Sequence, residues 1–408
     1  MNKKLLAVAV TSALAGASAG VNADTANVNV YGKLYLQAET VSGKGATQAG
    51  GASGDIINTL GPDIVSQQQI DDPNSYVGFK GEDNVGGGMK GWFQVESALK
   101  ADVGTGTWAF RNSAVGLSGG FGNVFLGNWD TVYKQLADPI GFLGISSGNF
   151  VATSNVLAKP AISKTGNKAS FHTRQTNNLE YDTPTMGGFT VMLEYSPDES
   201  RTAANGFSSG LNVYLRDIGV KFEQGPLYVA LANEFHHDFF GASTSSTQTA
   251  FTNVPNANDT QGFHSKDTAT RLTAMYKLPS DTTVSIDVAQ MEYKEEGGAV
   301  NHFDTYKHKA VALVASQKLG NITLAANYVT ADKGTCTLVG GASCDTSGLD
   351  GKMMSLGAAY AFSKRTSVYA IYSKITNGEN AQFNNTLNST VNPGVDPQEF
   401  GIGITVSF

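Results

Sequence analysis

The stretch that decides the fold class is Gln398–Phe408, QEFGIGITVSF. Its large apolar residues occupy every second position and alternate with polar or small ones. Because successive side chains of a β-strand point to opposite faces, this period predicts a strand with one apolar face and one polar face. Residues 27–39 repeat the pattern at the start of the chain. If the two terminal strands pair, the sheet closes into a barrel without an unpaired edge, which is a β structure that can cross a bilayer.

The N-terminus reads as a secretory signal peptide over residues 1–23, because Lys3 and Lys4 precede an apolar run and a small-x-small site at Val21–Ala23. Its removal from the 408-residue chain leaves 385 residues, with 26 basic and 35 acidic side chains (net −9). This acidity argues against nucleic acid as a partner. No later stretch has the roughly 18 consecutive apolar residues that a membrane helix needs, and no linker divides residues 24–408 into domains.

The rest of the chain repeats the strand pattern, with short turns alternating with long polar loops. The sequence therefore predicts an all-β fold, a 16-stranded antiparallel transmembrane β-barrel with long external loops and short periplasmic turns. The predicted strands span residues 27–39, 75–82, 89–99, 107–118, 122–129, 172–183, 188–196, 211–223, 226–236, 267–278, 282–293, 304–318, 321–332, 351–362, 366–376 and 398–408.

Two strands fit the alternation less well. The phase slips between Val288 and Met291, which suggests a bulge, and the faces of residues 366–376 are not assigned by the pattern. A soluble antiparallel sandwich is the competing fold. The polar side of the strands argues against it, because charged and amide side chains alternate there with small residues: Lys33, Lys90, Gln94, Glu96 and Arg111.

The only two cysteines, Cys336 and Cys344, lie eight positions apart in a loop rich in Gly, Ser and Thr. An exported chain matures in an oxidising compartment, which favours a local disulfide between them. Two free thiols are the alternative. A metal site is less favoured because the loop contains no histidine.

Several motifs, in their order and spacing, resemble those of the Gram-negative general porins over nearly the whole chain after residue 23. They are Tyr31-Gly32-Lys33, the VGFKGE run at 77–82, Arg111 followed by Val115-Gly116-Leu117, the GGFG run at 119–122, and the terminal Phe408. The resemblance implies a homotrimer in the cell outer membrane, in contact with lipid and lipopolysaccharide. It also implies a water-filled channel for passive diffusion of ions and small hydrophilic solutes, with no cofactor.

In this family the third external loop folds into the barrel and narrows it, so residues 130–174 are the expected constriction loop. The resemblance carries Lys33 and Arg111 over as basic wall residues, and alternation adds Lys90 and Arg174 to the basic group. The predicted acidic group is Glu96, Asp130 and Asp138. This chain departs from the family at Ser75-Tyr76 and at Leu126-Gly127-Asn128, where many members have arginine, so its basic ladder is thinner.

The loop carries two acids, Asp130 and Asp138, against four lysines, Lys134, Lys159, Lys164 and Lys168. Local potential, and not total protein charge, sets the barrier for an ion in a narrow pore. The sequence therefore predicts mild anion preference or little selectivity, despite the net charge of −9. Lysines that point into packing or into solvent, away from the pore, are the alternative.

Other functions remain open at this point. A solute-specific channel, selective for sugars or anions, would show saturable block of its conductance. An enzyme would need a catalytic constellation, and the nearest motif, GISSG at residues 144–148, lacks the strand and helix that a nucleophile elbow requires; we predict no enzyme activity. An adhesin would use the long loops. His236, His237, Asp238 and His264 raise the question of a metal, but a solvated loop explains them and we predict no metal site.

Overall fold

The computed structural model describes residues 27–47, 63–145, 148–161, 170–197, 212–239, 264–296, 300, 303–384 and 391–408. The predicted signal peptide, Lys164 and Lys168 lie outside these ranges. Within them, no helix has the length and hydropathy needed to cross a membrane.

The described chain forms one antiparallel sheet of nineteen strands. Their bounds are β1 Asn27–Lys44, β2 Ile64–Asp71, β3 Tyr76–Gly86, β4 Met89–Lys100, β5 Thr105–Thr107, β6 Ser113–Gly119, β7 Gly122–Asp130, β8 Arg174–Asp182, β9 Phe189–Pro197, β10 Tyr214–Gln224, β11 Leu227–His237, β12 His264–Lys277, β13 Thr282–Glu296, β14 Phe303–Leu319, β15 Ile322–Ala331, β16 Thr335–Leu338, β17 Gly351–Ala361, β18 Thr366–Asn377 and β19 Asp396–Ser407.

The first and last strands pair and close the sheet. β1 and β19 run antiparallel with Leu34 opposite Val406 and Glu39 opposite Gly401. Three short strands, β2, β5 and β16, extend the neighbouring strands at the loop side, and the other sixteen make the wall. The prediction of a closed 16-stranded barrel is therefore confirmed, and each predicted strand matches one of these wall strands.

The apolar faces of the strands point outward and the polar faces point inward. Val30 and Ile402, on the two strands of the closing seam, are 57% and 56% exposed. Their neighbours of the opposite parity, such as Gln37 and Glu399, are buried on the inside. This distribution is the reverse of a soluble sandwich, whose apolar side chains pack between two sheets.

The structure corrects the details of three strands. The bulge predicted at Val288–Met291 is wrong, because β13 pairs continuously with β14 through these residues. The apolar Ala289 and Met291 face inward there, since the interior on this side is packed and not filled with water. β1 runs on to Lys44, into the predicted loop. The predicted strand 107–118 begins only at Ser113, because Ala109 adopts a left-handed conformation (φ 52°).

The two cysteines are joined in an external hairpin. Cys336 lies in β16 and forms a disulfide with Cys344, with the two Cα atoms 5.1 Å apart. The Cys344 amide also donates a hydrogen bond to the Cys336 carbonyl (3.1 Å). The predicted local disulfide is therefore present, and it encloses a segment that lies on the loop side of the wall.

Replacing both cysteines by serine is expected to loosen this hairpin only. A cross-link over so short a segment restrains the open form by about 2.5 kcal/mol on loop-closure entropy. Limited proteolysis should therefore cut within residues 333–350 faster in Cys336→Ser/Cys344→Ser than in the oxidised parent, while single-channel conductance stays the same. The single variant Cys336→Ser should behave like the double variant, and a loss of barrel heat stability would contradict the local role.

Candidate functional site

The described residues between β7 and β8, which are 131–145, 148–161 and 170–173, lie inside the barrel, and we call them the lumen segment. It contains helix α1 (Val132–Gln135), a 3-10 turn (Phe142–Gly144) and helix α2 (Ser154–Leu157). Helix α1 contacts β9, β10 and β11, whereas the 3-10 turn and α2 contact β14, β15 and β17. Because these strands lie on different sides of the closed wall, the lumen segment crosses the interior.

The beginning of the lumen segment is fixed to β9, β10 and β12 by charged groups. The Val132 amide donates to Glu194 Oε2 (2.9 Å), and the Tyr133 amide donates to Asp217 Oδ2. From β12, the Arg271 guanidinium donates to the Tyr133 carbonyl and lies 4.0 Å from the centroid of its ring. These contacts use the free backbone groups of the first turn of α1.

Packing at the same place requires a residue without a side chain. Gly219 on β10 faces α1, and a Cβ atom there would lie 2.3 Å from Leu136 and 2.6 Å from Val132. A larger residue at position 219 would therefore push α1 away from the wall. Tyr228 closes this contact by donating its hydroxyl to the Leu136 carbonyl (3.0 Å).

The middle of the lumen segment is held by β1 and β15. The Tyr35 hydroxyl donates to the Ile145 carbonyl (3.0 Å), and Asn149 Nδ2 donates to the Tyr35 hydroxyl (2.8 Å). On the other side, Asn327 Nδ2 donates to the Val151 carbonyl (2.8 Å). The five residues that make these bonds are all buried. The middle of the lumen segment is therefore hydrogen-bonded to the wall out of contact with solvent.

The far end of the lumen segment bonds to the loop between β18 and β19. The Gln382 amide donates to the Ala161 carbonyl (2.6 Å), and Lys159 Nζ donates to the carbonyl (3.0 Å) and side chain (2.7 Å) of Asn384. Burial lowers the pKa of Lys159 to about 8. Lys159 therefore serves as an anchor to an external loop.

A cavity of about 430 Å³ remains between the lumen segment and the wall at β1, β3, the residues just before β6 and the end of β7. Charged and polar side chains line much of it: Lys33, Asn74, Arg111, Asp130, Lys134, Asp138 and His172. Two tyrosines, Tyr35 and Tyr76, complete this face. Five of the predicted constriction residues, Lys33, Arg111, Asp130, Asp138 and, beside Arg111, Glu96, thus meet at one place.

Two acids at this cavity, Asp130 and Glu96, are paired with cations. Asp130 binds Lys134 Nζ (2.9 Å) and Arg174 Nη2 (3.0 Å), so two positive groups surround one carboxylate. Arg111 binds Glu96 through Nε, and its guanidinium lies 4.8 Å from the ring centroid of Tyr76.

Lys33 differs, because within the described ranges it has no carboxylate within ion-pair distance. Its ammonium donates to the Gly144 carbonyl (2.7 Å) and lies 5.3 Å from the ring centroid of Tyr35. Around the cavity, four cations (Lys33, Arg111, Lys134 and Arg174) therefore stand against three acids (Glu96, Asp130 and Asp138).

Lys90 lies apart from this group. It follows the β3–β4 turn by one residue and pairs with Glu82 (2.6 Å). Glu96 is six residues further along the same strand, which is about 20 Å. Alternation gives the face of a residue but not its position along the strand, and Lys90 does not lie at the cavity that the other predicted residues surround.

Other inward or external polar residues have structural partners. Glu180, on the inner face of β8, is covered by the lumen segment and accepts from Gln135 Nε2 (2.9 Å). His264 Nδ1 contacts Asp238 Oδ1 (3.0 Å) at the external ends of β11 and β12. Among the described residues, no three His, Cys, Asp or Glu side chains are placed to hold a metal ion. Ser146 and Ser147 of the GISSG motif lie outside the described ranges.

Arg271 is the largest of the anchoring residues that the sequence analysis missed. It is 2% exposed and is the largest fully buried side chain of the described chain. A signal was available in its neighbourhood, because the inward positions of β11, β12 and β13 include several alanines: Ala230, Ala232, Ala269 and Ala289. Small apolar residues on an inner face indicate that another segment packs there.

A closed barrel with an apolar outer face, a polar inner face and a segment across its lumen defines a transmembrane channel. A family model described as a Gram-negative porin matches residues 7–380. The chain is 25% identical over 331 residues to the major outer membrane protein P.IB of Neisseria lactamica, which covers 81% of this chain and 85% of the relative. It is 30% identical over 237 residues to outer membrane porin protein 32 of Delftia acidovorans, covering 57% and 59%.

Solved structures agree on the fold. An anion-selective porin from Comamonas acidovorans superimposes with a TM-score of 0.66 at 20% identity, over 94% of this chain and all of that one. The trimer form of OmpT, an outer membrane protein of Vibrio cholerae, gives a TM-score of 0.60 at 18% identity, over 94% and 100%. The chain belongs to the Gram-negative porin family, and it is an outer-membrane porin that allows ions and small hydrophilic solutes to diffuse.

Proposed function

We propose that the lumen segment is the constriction of this porin and that the constriction favours anions weakly. The observation that carries the proposal is the charge pattern of the 430 Å³ cavity, where each of the two wall acids, Glu96 and Asp130, is paired with a cation and Lys33 has no acidic partner in the described chain. The Lys33 ammonium therefore adds a positive charge that no described acid neutralises. It outweighs the overall negative charge of the chain, because nearby fixed charges dominate the potential in a narrow pore.

The reversal potential across a planar bilayer in a KCl gradient tests this proposal. We expect its sign to show chloride more permeant than potassium, by a small factor, and the preference should shrink as salt rises because screening shortens the reach of the fixed charges. A clear cation preference at low salt would overturn the proposal. The anion selectivity named for the similar Comamonas porin is a property of that protein, and this measurement asks whether it holds here.

We further propose that the chain is a homotrimer and has no catalytic role. The trimer form recorded for the similar Vibrio protein supports the assembly. So do Trp108 and Phe110, which are 70% and 60% exposed; Trp108 lies 6.1 Å from Phe79 of the outer face. Conductance should rise in three equal steps for each insertion. Insertion in single conductance steps, together with a particle mass in detergent equal to one chain, would contradict the trimer.

A further inference from the structure

We propose that the periplasmic half of the lumen contains a subsite for aromatic carboxylate anions, built by Lys80 and Trp92. The inference deepens the proposed channel function and rests on it. The site is a second cavity, of about 370 Å³, whose lining includes Asn27, Asn29, Lys80, Glu82, Trp92 and Gln94. It is separate from the cavity around Lys33 and Arg111.

The strand register places this cavity below the constriction. On β1 and β3, Lys33 lies opposite Tyr76 and Asn29 lies opposite Lys80. Lys80 is therefore four residues further toward the β3–β4 turn, which is about 13 Å along the strand. Trp92 on β4 lies one inward-facing row further still, opposite Glu82. Lys80 and Trp92 thus face the same stretch of the lumen from adjacent strands.

Lys80 supplies a positive charge that the described part of the chain does not neutralise. Its side chain is exposed, its ammonium lies 5.0 Å from the ring centroid of Tyr31, and none of the described carboxylates comes within ion-pair distance of it. The nearby Glu82 carboxylate is already paired with Lys90 (2.6 Å). An anion in the cavity therefore meets an available ammonium without meeting an unpaired acid.

Trp92 supplies a fixed aromatic surface beside that charge. Its indole Nε1 donates to Asn123 Oδ1 (2.8 Å), and its ring centroid lies 5.5 Å from Phe125 and 6.0 Å from Trp129. Gly116 permits this orientation, since a Cβ atom there would lie 2.6 Å from the indole. Because these contacts already fix the indole against the wall, binding of a solute costs little further side-chain entropy at Trp92.

Together these groups recognise a planar ring that carries a carboxylate. The ring would stack on Trp92, and the carboxylate would bind the Lys80 ammonium with help from the Asn29 side-chain amide. An aliphatic carboxylate lacks the stacking contact, and a neutral ring lacks the ionic one. Each should therefore bind more weakly than a molecule that has both.

Benzoate is the probe for this site, with acetate and benzyl alcohol as the two partial ligands. In single-channel recordings in KCl, millimolar benzoate should lower the current reversibly, with an apparent affinity about fivefold above that of either partial ligand, because two contacts act together. Calorimetric titration of the detergent-solubilised protein should give the same ranking without relying on conductance. Equal effects of benzoate and acetate would overturn the inference.

The matched variants are Lys80→Gln and Lys221→Gln. Both remove one lysine charge from the inner wall, but Lys221 is on β10, outside the cavity, and pairs loosely with Glu223 (3.7 Å). Lys80→Gln should weaken benzoate binding about fivefold while Lys221→Gln leaves it unchanged, and Lys80→Arg should retain it. If the two glutamine variants weaken benzoate binding equally, the effect comes from the general electrostatic potential of the lumen, and the proposed subsite is wrong.

Failure of the subsite and failure of the channel are distinguishable. A protein that conducts KCl but does not prefer benzoate refutes the subsite alone. A folded protein that does not conduct refutes the channel function as well, whatever the calorimetry shows. Trp92→Leu adds a second arm, since it should remove the difference between benzoate and acetate while it leaves the acetate response intact.

Discussion

Replacing Arg271 by glutamine is expected to release the beginning of the lumen segment and to make the open channel noisier and more conductive. Arg271 is the positive group among several inward carboxylates, and its charge acts on Asp217, Glu234 and Asp287. Removing one partner of a buried charge network typically costs about 3–5 kcal/mol, because the remaining charges stay desolvated. The carboxyl groups then lose their positive partner, and α1 loses the bond to the Tyr133 carbonyl.

Single-channel recording and trypsin digestion measure this effect. The variant should show fluctuations between conductance levels, and cleavage at Lys134 should appear, whereas the parent stays intact at that site. Arg216→Gln is the matched control, because Arg216 lies on the outward face of β10, where it stacks on Phe235 at 4.5 Å. Quiet recordings from Arg271→Gln at the parental conductance would show that the remaining contacts suffice to hold α1.

Replacing Arg111 by serine is expected to shift the reversal potential toward cations. Arg111 neutralises Glu96, so its loss removes one positive charge and leaves an unpaired carboxylate beside the cavity. One elementary charge at about 5 Å in water changes the energy of an ion by roughly 0.8 kcal/mol. This energy rises for chloride and falls for potassium, so the chloride-to-potassium permeability ratio should fall by up to about 15-fold at low salt.

The double variant Arg111→Ser/Glu96→Gln is the control for this change. It removes the ion pair as a whole, so the net charge at the cavity returns to the parental value and the ratio should recover. If the single and the double variant have the same chloride-to-potassium permeability ratio, the Glu96 carboxylate does not contribute to the electrostatic potential in the lumen. If Arg111→Ser leaves the ratio unchanged, the proposed anion preference does not depend on this wall.

The barrel could be predicted from the sequence because the pattern that specifies each strand lies within a short stretch of residues. A period of two along QEFGIGITVSF, repeated in fifteen other segments, determines which side chains meet lipid, and the short turns determine which strands are neighbours. The pattern failed where the interior is packed. On β13 and β18, inward positions hold Met291, Ile371 and Ile375, because the lumen segment or an external loop covers them, so the hydropathy on the two faces no longer differs.

The candidate site was predictable in part only. Alternation placed Lys33, Glu96 and Lys90 on the inner face. It could not give the pairing of Glu96 with Arg111 or the distance between Lys90 and the cavity, because these depend on position along the strand and on neighbours across strands. The path of the lumen segment depends on long-range contacts, such as that of Tyr133 with Arg271, 138 residues later. A single sequence has no periodic signal for such a contact, and only the small inward residues around Arg271 indicated it.

The anchors of the lumen segment also constrain the order in which the molecule can fold. Its contacts reach forward to Arg271 and Asn327 and back to Tyr35 on the first strand, whose partner is the last strand to be synthesised. The segment cannot dock until nearly all of the hairpins exist, yet a sealed cylinder would exclude it from the inside. Docking and sealing must therefore occur as coupled late steps, and these non-local contacts make them slow.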